Sequence, residues 1–190
     1  MTIVMAMAGS ARKRGNSATL MRALLRGAAR AGAETREVYL HGLTYKGCQG
    51  CEPCKGGGEC VLEDDLTPVL SKLAEAEGWV LAAPIYYDGV SGQLKTFFDR
   101  CRTFTTDPQA HELEPQLTGK RRGAVIVTYE DAPRDDYHRQ AEILARYIGW
   151  MGDFGEVAVV SEGNLGPRDA ARKRPDLLSE MVEMGKGLFD

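Results

Sequence analysis

The chain has 190 residues, enough for one domain with a substantial core. Apolar residues make up 43% and charged residues 27%, ordinary for a globular protein, and a net charge of −3 argues against a nucleic-acid partner. The apolar start is short and its basic residues, Arg12, Lys13 and Arg14, follow it, the wrong order for a secretory signal; no apolar run nears the ~20 residues of a membrane span, so a cytoplasmic protein with no membrane partner is expected.

Strand-like and helix-like segments alternate along the chain. Thr2–Ala8 is an apolar run that ends at Gly9, as a buried parallel strand does. Ser17–Ala31 carries Leu20, Met21, Leu24, Leu25 and Ala28 on one helical face. Glu34–Leu40 reads as a second strand, and a cysteine-rich loop over about residues 47–62 then interrupts the pattern. Asp64-Asp65 opens a helix with Leu66, Val69, Leu70 and Leu73, its acids at the positive end. Gly78–Ala83 is a third strand that stops at Pro84, followed by a helix over Ser91–Thr103 with Leu94, Phe97, Phe98 and Cys101 inward. Gly123–Thr128 and Val157–Val160 are the last strands; Asp135–Met151 and Pro175–Leu188 are the last helices. Five such units predict an α/β fold: a flavodoxin-like, doubly wound, five-stranded parallel sheet with helices on both faces, in a single domain over 1–190.

Ligands of these sheets bind beyond the carboxyl ends of the strands, where the strand order reverses. The segment after the first strand, Gly9 to Ser17, is small, hydroxylated and basic, and runs into a helix start. Its backbone N–H groups, the helix dipole and the Ser10 and Ser17 hydroxyls can together hold a phosphate. A plain helix cap at Asn16 or Ser17 would need the same residues; the place beyond the first strand favours phosphate. The segment has neither a Walker A Gly-Lys-Ser/Thr nor a G-x-G-x-x-G turn. After the third strand, Pro84, Ile85, Tyr86, Tyr87, Asp88 and Gly89 combine two tyrosines with a fixed proline, which suits a planar aromatic ligand and equally an ordinary loop with surface tyrosines. Thr128, Tyr129 and Glu130 would form a third wall.

Four of the five cysteines, Cys48, Cys51, Cys54 and Cys60, follow a C-x2-C-x2-C-x5-C spacing. Two intervening residues let a turning backbone aim thiolates at one centre, and Gly56-Gly57-Gly58 can bring in the fourth. Clustered thiolates suit an iron–sulfur cluster or zinc. The compact run favours iron–sulfur, since zinc sites more often separate two knuckles by a longer insert. Unliganded thiols are the third reading.

Gly-Ser-Ala-Arg at 9–12 with Gly-Asn-Ser at 15–17, Ala-Pro-Ile-Tyr-Tyr at 83–87, Ser-Gly-Gln-Leu-Lys-Thr-Phe-Phe-Asp-Arg at 91–100 and the cysteine run between them resemble the NAD(P)H-dependent FMN reductase family, in its iron–sulfur flavoprotein branch. The resemblance spans nearly the whole chain. It implies FMN held by three loops, a 4Fe-4S cluster near the flavin, NAD(P)H as an electron donor, and a homodimer or homotetramer with a subunit contact close to the flavin. Matched residue by residue, Ser10, Arg12, Asn16, Ser17 and Ala18 correspond to the phosphate loop, Pro84 to Gly89 to the isoalloxazine loop, and Cys48, Cys51, Cys54 and Cys60 to the cluster ligands. Asp88 and Glu130 depart from the small polar residues usual beside the flavin.

Hydrolase arrangements of Ser, His and Asp are absent from the spacing, and hydride transfer to a flavin needs no side-chain acid or base, so no catalytic residue is assigned. Cys101, Trp79 and Trp150 read as packing, Ser91 as a helix cap, and His41, His111 and His138 as scattered. The expected function is an FMN-dependent redox protein with one 4Fe-4S cluster, moving electrons between NAD(P)H or a ferredoxin-like donor and a small-molecule or protein acceptor. Two alternatives are a plain FMN, quinone or nitro reductase whose cysteines are structural or hold zinc, and a non-enzymatic redox sensor. The cysteine loop has little apolar surface of its own and is expected to lie against the flavin across a homo-oligomer interface.

Overall fold

The structure, a computed structural model, describes residues 1–106 and 113–190, so His111 lies outside the described residues. Five strands form the central sheet: β1 (Ile3–Ala8), β2 (Glu34–Tyr39), β3 (Gly78–Tyr86), β4 (Arg122–Thr128) and β5 (Ala158–Glu162). They lie in the order β2-β1-β3-β4-β5, every neighbour pair parallel, which is the flavodoxin-like order expected from the sequence.

Strand side chains alternate faces, and the core divides accordingly. Val4, Ala6, Val80, Ala82, Ala124 and Ile126 pack with Leu20, Leu24, Leu177 and Met181 of α1 (Asn16–Arg30) and α5 (Pro175–Phe189). Met5, Met7, Trp79, Leu81, Val125 and Val127 face the other way, toward α2 (Thr67–Glu75), α3 (Gly92–Arg100) and α4 (Asp135–Gly149). Leu20, Leu24, Leu73, Leu81, Leu94 and Ile126 are fully buried, each contributing about 2 kcal/mol of apolar transfer. The central strands are apolar on both faces, as burial under two helix layers requires. Among the described residues, no helix is long and apolar enough to cross a membrane.

Three boundaries differ from the sequence reading by three residues; the others shift by two or fewer. Strand β3 runs through Pro84 to Tyr86 and turns back at Gly89–Val90 as an antiparallel hairpin. Its neighbour β1 pairs only as far as Ala82, so proline sits beyond the central ladder on that side. The second helix begins at Thr67, not at Asp64-Asp65. Those carboxylates accept instead from the backbone N–H groups of Lys46 (3.1 Å) and Thr44 (2.8 Å), closing the preceding loop. The third helix ends at Arg100 and tightens into a 3-10 turn over Cys101–Phe104. The carbonyls at the end of α2 find a partner far along the chain: the Arg121 guanidinium donates to Ala74 O, Ala76 O and Thr118 O.

Helices α1 and α5 cross at two glycines. A Cβ on Gly27 would lie 2.0 Å from Val182 O, and one on Gly185 2.0 Å from Leu24 O. Gly187, two residues on, has nothing within 4 Å. Gly185→Ala is therefore expected to destabilise by about 1–3 kcal/mol through overpacking. Gly187→Ala is expected to stabilise by up to about 1 kcal/mol through helix propensity. Thermal denaturation of both variants checks the pair; equal shifts would place the crossing elsewhere.

Candidate functional site

The carboxyl ends of β1, β3, β4 and β5 open on a cavity of about 280 Å³. Its first wall is the segment between β1 and α1. Gly9 N–H bonds Ala82 O at 2.8 Å, and the Ser91 hydroxyl donates to Gly9 O at 2.7 Å. Ser91 holds the N-cap position of α3, as the sequence reading expected, but its hydroxyl makes no cap hydrogen bond and instead ties two loops together. A Cβ on Gly9 would meet Leu94 Cβ at 2.7 Å, so only glycine permits this approach.

Helix α1 starts without a side-chain cap and without an acid in its first turn. Its first helical bond runs from Thr19 N to Gly15 O at 3.0 Å, leaving the Asn16, Ser17 and Ala18 N–H groups without helical acceptors. Ser10 and Ser17 are buried at this terminus, and Arg12 lines the same cavity. Uncapped donors, two hydroxyls and a guanidinium form an arrangement complementary to a phosphate monoester. Ala18 itself is wholly buried in the core and can offer only its backbone.

Asn16 does something the sequence did not signal. Its Nδ2 donates to Leu165 O (2.7 Å) and Pro167 O (2.9 Å), and its Oδ1 accepts from Ala171 N (3.0 Å). The side chain is spent on stapling the segment after β5 to the start of α1. That segment adds Leu165, Gly166 and Arg168 as a fourth wall, absent from the sequence-based set. The available signal was its place at the carboxyl end of the last strand, with Gly163-Asn164 as a turn in which Asn164 has φ 55°.

Pro84, Ile85 and Tyr86 line the cavity, as do Thr128, Tyr129 and Glu130. Tyr87, Asp88 and Gly89 stand outside its lining. Tyr87 and Asp88 form the two-residue hairpin tip with φ of 48° and 58°, left-handed values unusual for non-glycine residues. Tyr87 is fully exposed. Asp88 accepts a 2.7 Å hydrogen bond from the Tyr137 hydroxyl, which holds the phenol pKa above its ordinary value, and Tyr137 packs edge-on against Tyr129 at 4.7 Å. The carboxylate therefore fixes the tip to α4 and does not face the cavity.

The cysteines gather elsewhere. Cys48, Cys51, Cys54 and Cys60 all line one cavity of about 50 Å³, together with Arg100 and Arg102. The loop reaches this shape through left-handed residues at Gly50, Glu52 and Gly57 and a 3-10 turn over Pro53–Gly56. Burial pushes the Cys54 thiol up; Arg102 acts against that, and the neighbouring Cys60 and Cys48 act with it. The donor set and its convergence fit a thiolate-bound iron–sulfur cluster, which holds its sulfurs farther apart than one ion does. Among the described residues, no three His, Cys, Asp or Glu groups close tightly enough to hold a metal ion. The cavity lies at the carboxyl end of α3, whereas the hairpin precedes its amino end, and nine helical residues separate the two by about 13 Å. Cys101 is wholly buried, and burial pushes its thiol far above the ordinary range. His138 is exposed and faces Glu142 at 3.4 Å, away from both cavities.

Strand order, a cavity beyond the strand ends and an uncapped first helix define a flavodoxin-like α/β protein with an anion-ready first loop. The chain belongs to the NADPH-dependent FMN reductase family, whose model matches residues 1–161. It is 38% identical over 124 residues to an iron-sulfur flavoprotein of Methanocaldococcus jannaschii, covering 65% of this chain and 61% of that protein. An iron-sulfur flavoprotein of Archaeoglobus fulgidus is 34% identical over 180 residues, 92% of this chain and 76% of that one. The chain thus spans less than two thirds of the first relative's length. An NAD(P)H:quinone oxidoreductase from Methanothermobacter marburgensis has the same fold, with TM-score 0.76 at 17% identity over 98% of both chains. So does an FMN-dependent NADH-azoreductase from Bacillus anthracis, solved with FMN, with TM-score 0.73 at 12% identity over 100% of both chains.

Thiol accessibility follows from this geometry. In metal-free protein, iodoacetamide is expected to label exposed Cys48 and Cys51 first, Cys54 and Cys60 more slowly, and Cys101 only after denaturation. Peptide mass mapping checks the order; early Cys101 labelling would contradict its burial.

Proposed function

We propose that the chain is an FMN-dependent oxidoreductase carrying one 4Fe-4S cluster on Cys48, Cys51, Cys54 and Cys60. It transfers electrons between NAD(P)H or a ferredoxin-like donor and a small-molecule or protein acceptor. The observation that carries this reading is that all four cysteines line one cavity in a chain whose first helix starts without a side-chain cap or an acid in its first turn. FMN exchanges electrons as a hydride pair or singly, and a 4Fe-4S cluster exchanges them singly, so the two together can split or gather a pair.

The chain's own residues supply placement and charge. The N–H groups of Asn16, Ser17 and Ala18, with the Ser10 and Ser17 hydroxyls and Arg12, would hold the phosphate. Asn16 acts mainly by keeping the segment after β5 in place. Pro84, Ile85 and Tyr86 would present backbone and one aromatic ring to the isoalloxazine, with Thr128, Tyr129 and Glu130 opposite. A cavity of about 280 Å³ is small for a ligand of this size, so part of the flavin would rest on an open ledge beside the exposed Tyr86 and Tyr87. A second subunit covering that ledge would also bring its own cysteine loop toward it, whereas within one chain the cysteines gather at the far end of α3 from the hairpin. This supports a homodimer or homotetramer.

One observation favours a plain reductase as the second reading: the absence, among the described residues, of a three-ligand group able to hold a metal ion. Anaerobically purified protein separates the two. The first expects about four irons and four sulfides per chain; zinc without sulfide, or neither, would favour the second. Cys51→Ser is expected to lose most of the iron and retain FMN, whereas Cys101→Ser keeps both.

Flavin released by denaturation is expected to be FMN, because the first loop offers one anion site and no dinucleotide turn. Recovery of mainly FAD would overturn this. Ser17→Asp puts an anion against the phosphate and is expected to yield flavin-poor protein; unchanged flavin content would assign the loop no role in binding.

A further inference from the structure

We propose that Arg100 is a positioning residue for the cysteine centre: it clasps the neck of the cysteine loop and supplies the buried positive charge around which the thiolates gather. The inference rests on the cluster reading above and adds a residue outside the cysteine motif.

Arg100 is the last residue of α3, and its side chain has no exposed surface. Its Nη1 donates to Lys46 O (2.9 Å) and Asp64 Oδ2 (2.8 Å), and its Nη2 to Leu62 O and Asp64 Oδ1 (both 3.4 Å). Lys46 lies two residues before Cys48 and Leu62 two after Cys60. One planar guanidinium therefore holds both ends of the loop, and Asp64 completes the closure by accepting from Lys46 N. A lysine could carry the charge but could not make this fork.

The remaining donor points to more than a structural tie. Arg100 Nε is buried with no hydrogen-bond partner among the described residues, although buried donors are nearly always paired. Arg100 lines the cysteine cavity, and Cys60 is among the groups beside it that favour its charge. A buried guanidinium that lines the cavity of the four thiols, with Cys60 directly beside it, is placed to offset the negative charge that ligation collects there.

Charge and clasp separate by experiment. In anaerobic holoprotein, Arg100→Gln is expected to lose most cluster iron, and the loaded remainder to show a lower midpoint potential, because a more negative reduced centre loses its cation and faces unpaired Asp64. Arg100→Lys is expected to lose iron but to keep a potential near wild type. Asp64→Asn is expected to move the potential the other way. FMN content reports whether each variant folds. Wild-type loading and potential in both Arg100→Gln and Asp64→Asn would overturn the inference. If wild type itself carries no iron, the cluster reading fails instead. The clasp is then read by limited proteolysis of metal-free protein, where faster cleavage within 47–62 in Arg100→Gln supports it and unchanged cleavage overturns it.

Discussion

The parallel pairing of β1 with β3 is the constraint on which the rest depends. It puts Gly9 against Ala82 and lets the Ser91 hydroxyl reach the Gly9 carbonyl at 2.7 Å. That contact joins the loop after β1 to the start of α3, tying two walls of the cavity together. It exists because the chain crosses from β1 to β2 on one side and returns to β3 on the other, which leaves a gap at the reversal. With a larger residue at position 9 the loops could not meet, and the strand-end cavity would lose its floor.

Two chemically different regions hang from the same helix. At the amino end of α3 lie the Ser91 tie and the hairpin; at its carboxyl end Arg100 holds the cysteine loop. The helix is anchored on the core by Leu94 and Phe97, both fully buried. It acts as a spacer: cavity and cysteines keep a set separation within one chain. Tyr86 and Tyr87 at the hairpin are left exposed.

Polar side chains do the closing work that apolar packing cannot do in loops. Asn16 ties residues 165–171 to the helix start, Asp88 fixes the hairpin tip through Tyr137, and Asp64 with Arg100 shuts the cysteine loop. In sequence these residues suggested other tasks. Asn16 looked like a cap or ligand, Asp88 like a charge beside a cofactor, and Asp64 like a helix starter. The difference arises because their partners lie far away in the chain: Asn16 reaches 149 residues to Leu165, and Asp88 49 to Tyr137. A short polar side chain can serve many neighbours, and only the fold decides which is near.

The sequence by itself determined the five-unit α/β order, the two-sided sheet, the place of the first loop at a helix start and the thiol-rich loop. These follow from local periodicity and spacing, which act within a few residues. Tertiary structure decided that Tyr87 and Asp88 form a hairpin tip outside the cavity lining, that Leu165, Gly166 and Arg168 complete it, and that the cysteines sit at the far end of α3. It also made Arg100 the neighbour of Cys60. Burial and hydrogen bonding between residues distant in the chain set these outcomes, and neither leaves a periodic trace in the sequence.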